Sequence, residues 1–129
     1  MIPKELAHIF ELAELRMRHL HAGGGHGFYK GPETFIEGLL NEIDEVKIEF
    51  NDDKRVLLED ELGDVFWDYI CLLESLDQVG KIKKEKVFER CYQKFSERLN
   101  VNDGSDNGDW QNVKKKQKQR LMVEQNLNH

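Results

Sequence analysis

Two carboxylate pairs carry the chemistry most readily read from this sequence. Glu42 and Glu45 stand three residues apart, with Glu49 one turn further on; Glu61 and Asp64 repeat the spacing, with Asp68 one turn beyond. Residues at i and i+3 share a helix face with Cβ atoms about 5–6 Å apart, so two such pairs on adjacent antiparallel helices converge on one point. Four carboxylates held together repel and raise one another's pKa unless a cation lies between them. An all-oxygen ligand set suits a hard ion, Mg²⁺ or Mn²⁺, rather than zinc, which recruits His or Cys. A lone E-x-x-E on a helix is commonly just a wet face. Here the acids flank apolar residues, Ile43 and Val46 in one segment, Leu62 and Val65 in the other. Gly63 lies between Glu61 and Asp64, where mid-helix glycine costs about 1 kcal/mol relative to Ala; close approach of a neighbouring helix or ligand would explain the glycine.

Helices must position these groups, and helical periodicity dominates the chain. Leu6, Ile9, Phe10, Ala13, Met17 and Leu20 predict a first amphipathic helix from about Lys4 to His21, stopped by Gly23-Gly24-Gly25-His26-Gly27. Pro32 and a capping box, Thr34 capping with Glu37 reaching back, announce a second helix that runs through Leu39, Leu40, Ile43, Val46 and Phe50. Asn51-Asp52-Asp53 reads as a turn in which either aspartate caps a third helix, bearing Leu58 to Leu76 and closed near Gly80. A fourth helix is expected from about Lys84 to Leu99, with Val87, Phe88, Cys91, Phe95 and Leu99 inward. Asn102 to Asp109 reads as a polar loop, and Trp110 opens a short basic C-terminal segment. No useful strand alternation and no internal repeat occur. The expected fold is all-α, a four-helix bundle with that basic segment, forming one domain over residues 1–129.

Composition agrees. The 129 residues are 39% hydrophobic and 34% charged, with two prolines, which favours a helix-rich globule over a disordered chain or a β-sandwich. The net charge of −6 argues against wholesale duplex DNA binding, so no nucleic-acid partner is expected. Charged residues at the start and the lack of an apolar run of about 18–20 residues argue against a signal peptide and a membrane span. Cys71 and Cys91, without a C-x-x-C, read as buried thiols in a reducing compartment. A cytoplasmic protein is expected. Charge is segregated: Glu33 to Asp64 holds 12 acidic and 3 basic residues (−9), whereas Lys81 to Arg120 holds 12 basic and 6 acidic (+6). Solvated faces account for this blandly; a cation site on one segment and an anion site on the other account for it more sharply.

The motifs resemble a family. Asn41-Glu42-Ile43-Asp44-Glu45-Val46 followed by Leu58-Glu59-Asp60-Glu61-Leu62-Gly63-Asp64-Val65-Phe66 is similar to the E-E-x-x-E … E-x-x-D signature of the MazG nucleotide pyrophosphohydrolases, within the all-α NTP pyrophosphatase superfamily. Gly27-Phe28 upstream, Lys94-Phe95-Ser96-Glu97-Arg98 (K-F-x-x-R) and Trp110-Gln111-Asn112-Val113-Lys114 (W-x-x-(I/V)-K) extend the likeness over roughly Gly27 to Lys116. Asn41 replaces the first Glu of the usual pair, and Lys30 stands where many members have tryptophan.

The resemblance implies that Glu42, Glu45, Glu61 and Asp64 hold Mg²⁺ (or Mn²⁺) against a nucleoside triphosphate, with Glu42 polarising the attacking water. Water attack at the α-phosphorus then yields a monophosphate and pyrophosphate, in the manner of nucleotide-pool housecleaning. Lys94 and Arg98, one helical turn apart, are candidates for phosphate oxygens, with solvated surface charge as the plain alternative. Phe28, Tyr29 and Trp110 are candidates for base stacking or for core packing. Asp68 is either an outer member of the metal site or a surface acid. The five scattered histidines form no metal pattern, and the glycine-rich stretch lacks the Lys-Ser/Thr ending of a P-loop; it is a connector or a lid. Phe66, Trp67, Tyr69 and Ile70 occupy too many sides of one helix for a single neighbour to cover, so a homodimer or homotetramer is expected. The alternative from another class is a non-catalytic helical module whose acidic face binds a basic partner while the basic tail mediates oligomerisation.

Overall fold

The computed structural model describes residues 2–24, 27–51, 53–101 and 107–127. Five helices and no strands occur among them: α1 (Glu5–His21), α2 (Glu33–Phe50), α3 (Arg55–Gln78), α4 (Lys84–Val101) and α5 (Asn107–Leu127). None is long and apolar enough to cross a membrane. The chain divides into two compact units, Met1–Lys84 and Glu85–His129.

In the first unit, apolar periodicity lays α1 and α2 against α3. Ala13, Met17 and Leu20 of α1 are buried with Ile70, Cys71 and Leu73 of α3, and Phe35 is the buried residue of α2. Phe10 meets Phe66 edge-on at 6.5 Å. The core therefore sits beside the C-terminal half of α3. Glu74 and Ser75 are buried there too, and each has a partner. Lys84 Nζ donates to Glu74 at 2.6 Å and to Glu14 at 3.0 Å, while the Lys84 backbone N–H donates to Asp77 Oδ2. Burial opposes the Lys84 charge, but the two glutamates outweigh it and its pKa is raised. Gly80 adopts φ 78°, donates to the Asp77 carbonyl, and is followed by a Lys81 N–H to Leu76 O bond. This left-handed glycine closure ends α3 as its sequence suggests.

Several local expectations fail for identifiable reasons. Pro32 is already right-handed helical (φ −56°), so α2 starts at Glu33 and needs no side-chain cap. Thr34 sits inside the first turn, and its Oγ1 accepts the Lys30 N–H instead of capping. Lys54, without a side-chain cap, precedes α3; Asp53 holds φ 53°, and Asp52 lies outside the described residues. The short basic C-terminal segment is a 21-residue helix, α5, so helices number five among the described residues rather than four.

The second unit is a hairpin of α4 and α5 joined by polar side chains. Arg90 forms a two-pronged pair with Glu124, and Arg120 does so with Glu97. The Arg120 hydrogen bonds, with one from Gln117, hold the Glu97 carboxyl down at about 2. Gln117 is buried and satisfied: its Nε2 donates to Lys94 O and Glu97 Oε1, and its Oε1 accepts from Arg98 Nε. Phe88, Phe95 and Leu99, expected inward, are 42–66% exposed; α4 and α5 meet through Arg90–Glu124, Arg120–Glu97 and Gln117. Cys91 is likewise exposed, against expectation, while Cys71 is buried; both are free.

Candidate metal centre

Glu42 on α2 and Glu61 and Asp64 on α3 bring ligand atoms within 4.8 Å of one another. The antiparallel pairing of α2 with α3 does this. On α2, Phe35, Gly38 and Glu42 fall at i, i+3 and i+7; on α3, Glu61, Asp64, Asp68, Cys71 and Ser75 recur at three- and four-residue steps. Each set occupies one helix face. The two rows meet rung by rung, with Glu42 beside Glu61 and Asp64 and Gly38 beside Asp68. The third rung, next to Phe35, joins Tyr29 to Ser75.

The electrostatics show how costly this convergence is. Burial raises the Glu42 pKa; a hydrogen bond shared with Glu61 opposes the rise, and the charges of Asp64, Asp68 and Glu45 add to it. Burial also raises the Glu61 pKa, and the same shared hydrogen bond raises it further, with Glu42, Asp64 and Glu45 adding repulsion. Asp68 is raised by burial and then by Asp64. A divalent cation among these oxygens would relieve both burdens, and the donor set contains no nitrogen or sulfur. The residues fit Mg²⁺ or Mn²⁺. Glu45 is exposed and outside the converging set, and acts on it through charge.

Gly38, not Gly63, is the glycine at a close approach. A Cβ on Gly63 would meet nothing within 4 Å, so among the described residues no helix or side chain approaches it. A Cβ on Gly38 would stand 2.9 Å from Asp68 Oδ2. The close approach thus lies on α2, one turn from Glu42, and it lets Asp68 lean across the groove. Sequence reasoning left Asp68 undecided; the spacing 61-64-68 on one face was the signal.

Beyond the carboxylates the groove becomes aromatic. Tyr29 Oη and Ser75 Oγ are 2.5 Å apart, and the Tyr29 ring meets Phe35 at 6.0 Å and His21 at 5.5 Å. Phe28 meets Phe35 at 6.4 Å yet is 52% exposed, and the Arg16 guanidinium lies over its ring at 5.7 Å. Arg16 carried no sequence motif. Gly23 and Gly27 hold positive φ; Gly25 and His26, in the middle of the expected connector or lid, lie outside the described residues. The exposed His8 pairs loosely with Glu11 at 3.5 Å, and among the described residues no histidine joins the acidic cluster.

Lys94, Arg98 and Trp110 belong to the second unit. Arg98 is held there: Nε donates to Gln117, and its guanidinium lies 5.3 Å from the Phe95 ring centroid and 5.8 Å from that of Trp110. Lys94 lines a cleft of about 190 Å³ with Arg90, Arg120 and Leu121. Its ammonium has no carboxylate partner among the described residues.

In comparison with known families, the model of the MazG nucleotide pyrophosphohydrolase domain matches residues 30–101, more than half of the chain. Neither a curated protein nor a solved structure matches. The matched span contains Glu42, Glu45, Glu61, Asp64, Lys94 and Arg98; Arg16, Phe28 and Trp110 fall outside it.

Proposed function

Because the chain belongs to the MazG nucleotide pyrophosphohydrolase family, we propose that it hydrolyses nucleoside triphosphates to monophosphates and pyrophosphate with a divalent cation, Mg²⁺ or Mn²⁺. The observation that carries this reading is the convergence of Glu42, Glu61 and Asp64 within the family's matched span. These three side chains would hold the cation, and Glu45, one turn from Glu42 on α2 and outside the converging set, would add its charge beside them. Bound there, the cation supplies positive charge against phosphate oxygens as negative charge develops in the transition state.

The chain's own residues do the rest. Glu42 accepts a proton from the attacking water, whose oxygen bonds to the α-phosphorus as the bond from that phosphorus to the bridging oxygen breaks. Pyrophosphate leaves with that oxygen and the monophosphate keeps the oxygen of water. Little covalent chemistry is asked of the protein, which positions and neutralises. On the second unit, Lys94, whose ammonium has no carboxylate partner among the described residues, is a stronger phosphate-binding candidate than Arg98, which is committed to Gln117 and to the Trp110 ring. Phe28 is the candidate for the base.

Residues 1–129 act as one functional domain in this reading, since the matched span runs from the first unit into the second. The bundle is completed by self-association as a dimer or pair of dimers: Leu40, Ile43 and Leu62 of the first unit are 40–63% exposed. Nucleotide-pool housecleaning in the cytoplasm suits an enzyme with two free thiols. Turnover in ¹⁸O-labelled water tests the chemistry: the label enters the monophosphate, and label in pyrophosphate would overturn attack at the α-phosphorus.

A further inference from the structure

We infer that the Asp68 carboxylate accepts hydrogen bonds from the two adjacent hydroxyls of a ribose and so selects ribonucleoside over deoxyribonucleoside triphosphates. This rests on the pyrophosphohydrolase reading above. Asp68 lies on the α3 face that carries Glu61 and Asp64, one turn past Asp64. It is half-buried, yet among the described residues no N–H, hydroxyl or cation partners it. A desolvated carboxylate without a donor is costly, and such groups normally recruit one. Neither of its oxygens is sealed from water, so a ligand can still reach them.

Gly38 gives the carboxylate its place. A Cβ there would stand 2.9 Å from Asp68 Oδ2 and 3.7 Å from Oδ1, so both oxygens reach across α2 where a side chain is missing. The Asp68 charge is felt by Glu42 on one side and by the buried Cys71 on the other. Asp68 therefore sits inside the row, between the rung of Glu42, Glu61 and Asp64 and the rung of Tyr29 and Ser75. It stands outside the three acids whose oxygens converge for a cation, and a pair of neutral donors suits it better. With a triphosphate anchored at those three acids, the group that follows the α-phosphate is the sugar. One helical turn, about 6 Å along the axis, is also the scale of the link from an α-phosphate through C5′ to the sugar hydroxyls. Two acceptor oxygens, both unclaimed, match two adjacent hydroxyls, and a carboxylate on a ribose hydroxyl is how dinucleotide sites hold their sugar. A deoxyribose leaves one of those oxygens half-buried and unmet, which penalises it.

Calorimetric titration of the full-length protein in Mg²⁺ tests the assignment with the α,β-methylene analogues of ATP and UTP, their 2′-deoxy counterparts, and inorganic tripolyphosphate. The wild-type protein is expected to bind a ribo form about tenfold or more tighter than its deoxy form, the scale of a hydrogen bond to a charged group. In Asp68→Ala that ratio should fall to within about twofold. Loss of a negative charge should tighten tripolyphosphate and both nucleotide forms together, so the ratio isolates the hydroxyl contact. Asp68→Asn, which keeps the shape and one acceptor, should give a ratio between the two, and thermal melts check the fold of each variant. A wild-type ratio within about twofold, or a ratio unchanged in Asp68→Ala, would overturn the contact. So would Asp68→Ala protein that no longer binds Mg²⁺ or tripolyphosphate, because Asp68 would then be a metal ligand. Pyrophosphate release by the wild-type protein with a ratio unchanged in Asp68→Ala overturns the sugar contact alone. No release from any nucleotide, with the ratio still lost in Asp68→Ala, overturns the activity and leaves the contact standing.

Discussion

Replacing Gly63 with alanine separates a conformational from a steric role for that residue. Gly63 lies in the interior of α3, two residues past Glu61 and next to Asp64. Glycine there is about 0.8–1.0 kcal/mol less favourable than alanine because it loses more backbone freedom on folding. A Cβ built at this position meets nothing within 4 Å, so no repulsion offsets the gain, and the exposed site adds little through burial. Gly63→Ala should therefore stabilise the protein by nearly the full propensity difference, raising Tm by about 3–6 °C in a chain of this size. Gly38→Ala offers the internal contrast. The same propensity gain applies, but the new methyl stands 2.9 Å from Asp68 Oδ2 and 3.4 Å from its Cγ. Asp68 must swing away, and the net gain should be visibly smaller. Differential scanning calorimetry on metal-free protein reads both, with turnover measured in parallel. Gly63→Ala should change kcat/KM by less than about twofold. A lowered Tm, or a larger loss of turnover, would show that the space beside Gly63 is used and would refute the argument.

Glu42→Gln should remove divalent-cation binding and lower kcat by at least about 100-fold. The metal-free fold should gain about 0.2–1 kcal/mol after solvent screening, because one charge leaves a repelling cluster; a marked loss of Tm in chelator would identify Glu42 as a structural partner instead. The pH dependence follows from raised carboxyl groups. Glu42 and Glu61 titrate above 4.5 in the folded protein, so their favourable contribution is present below that value and is lost as pH rises through the raised values. Metal-free Tm should therefore decline over that rise, and saturating Mg²⁺ should abolish the decline. Below pH 4.5 the sign reverses at the hairpin, where Glu97, held at about 2, loses its ion pair as it protonates. A metal-free Tm that climbs through the upper window would contradict the repulsion.

The carboxylate centre was legible because i, i+3 spacing on a helix is geometry, and two such pairs on consecutive helices have few ways to meet. Which acids converge was less legible. Glu45 shares the spacing yet stays exposed, and Asp68 enters the groove because Gly38 opposite has no side chain, a fact of pairing between helices rather than of either segment. The α2 start shifted because Pro32 is itself helical, which displaced Thr34 from the cap. Helix α5 was hidden because it has no apolar stripe; its attachment to α4 rests on Arg90–Glu124, Arg120–Glu97 and buried Gln117, and long-range polar pairing leaves no periodic trace. Arg16 escaped notice for a similar reason: only the fold brings it over Phe28.

The most direct test of the central claim is pyrophosphate release from a panel of ribo- and deoxyribonucleoside triphosphates, with and without Mg²⁺, by the wild-type protein and by Glu61→Gln. Stoichiometric pyrophosphate and monophosphate from at least one nucleotide, dependent on the cation and absent in Glu61→Gln, is the predicted result. Orthophosphate as first product, release that persists in chelator, or undiminished turnover by Glu61→Gln would contradict the account.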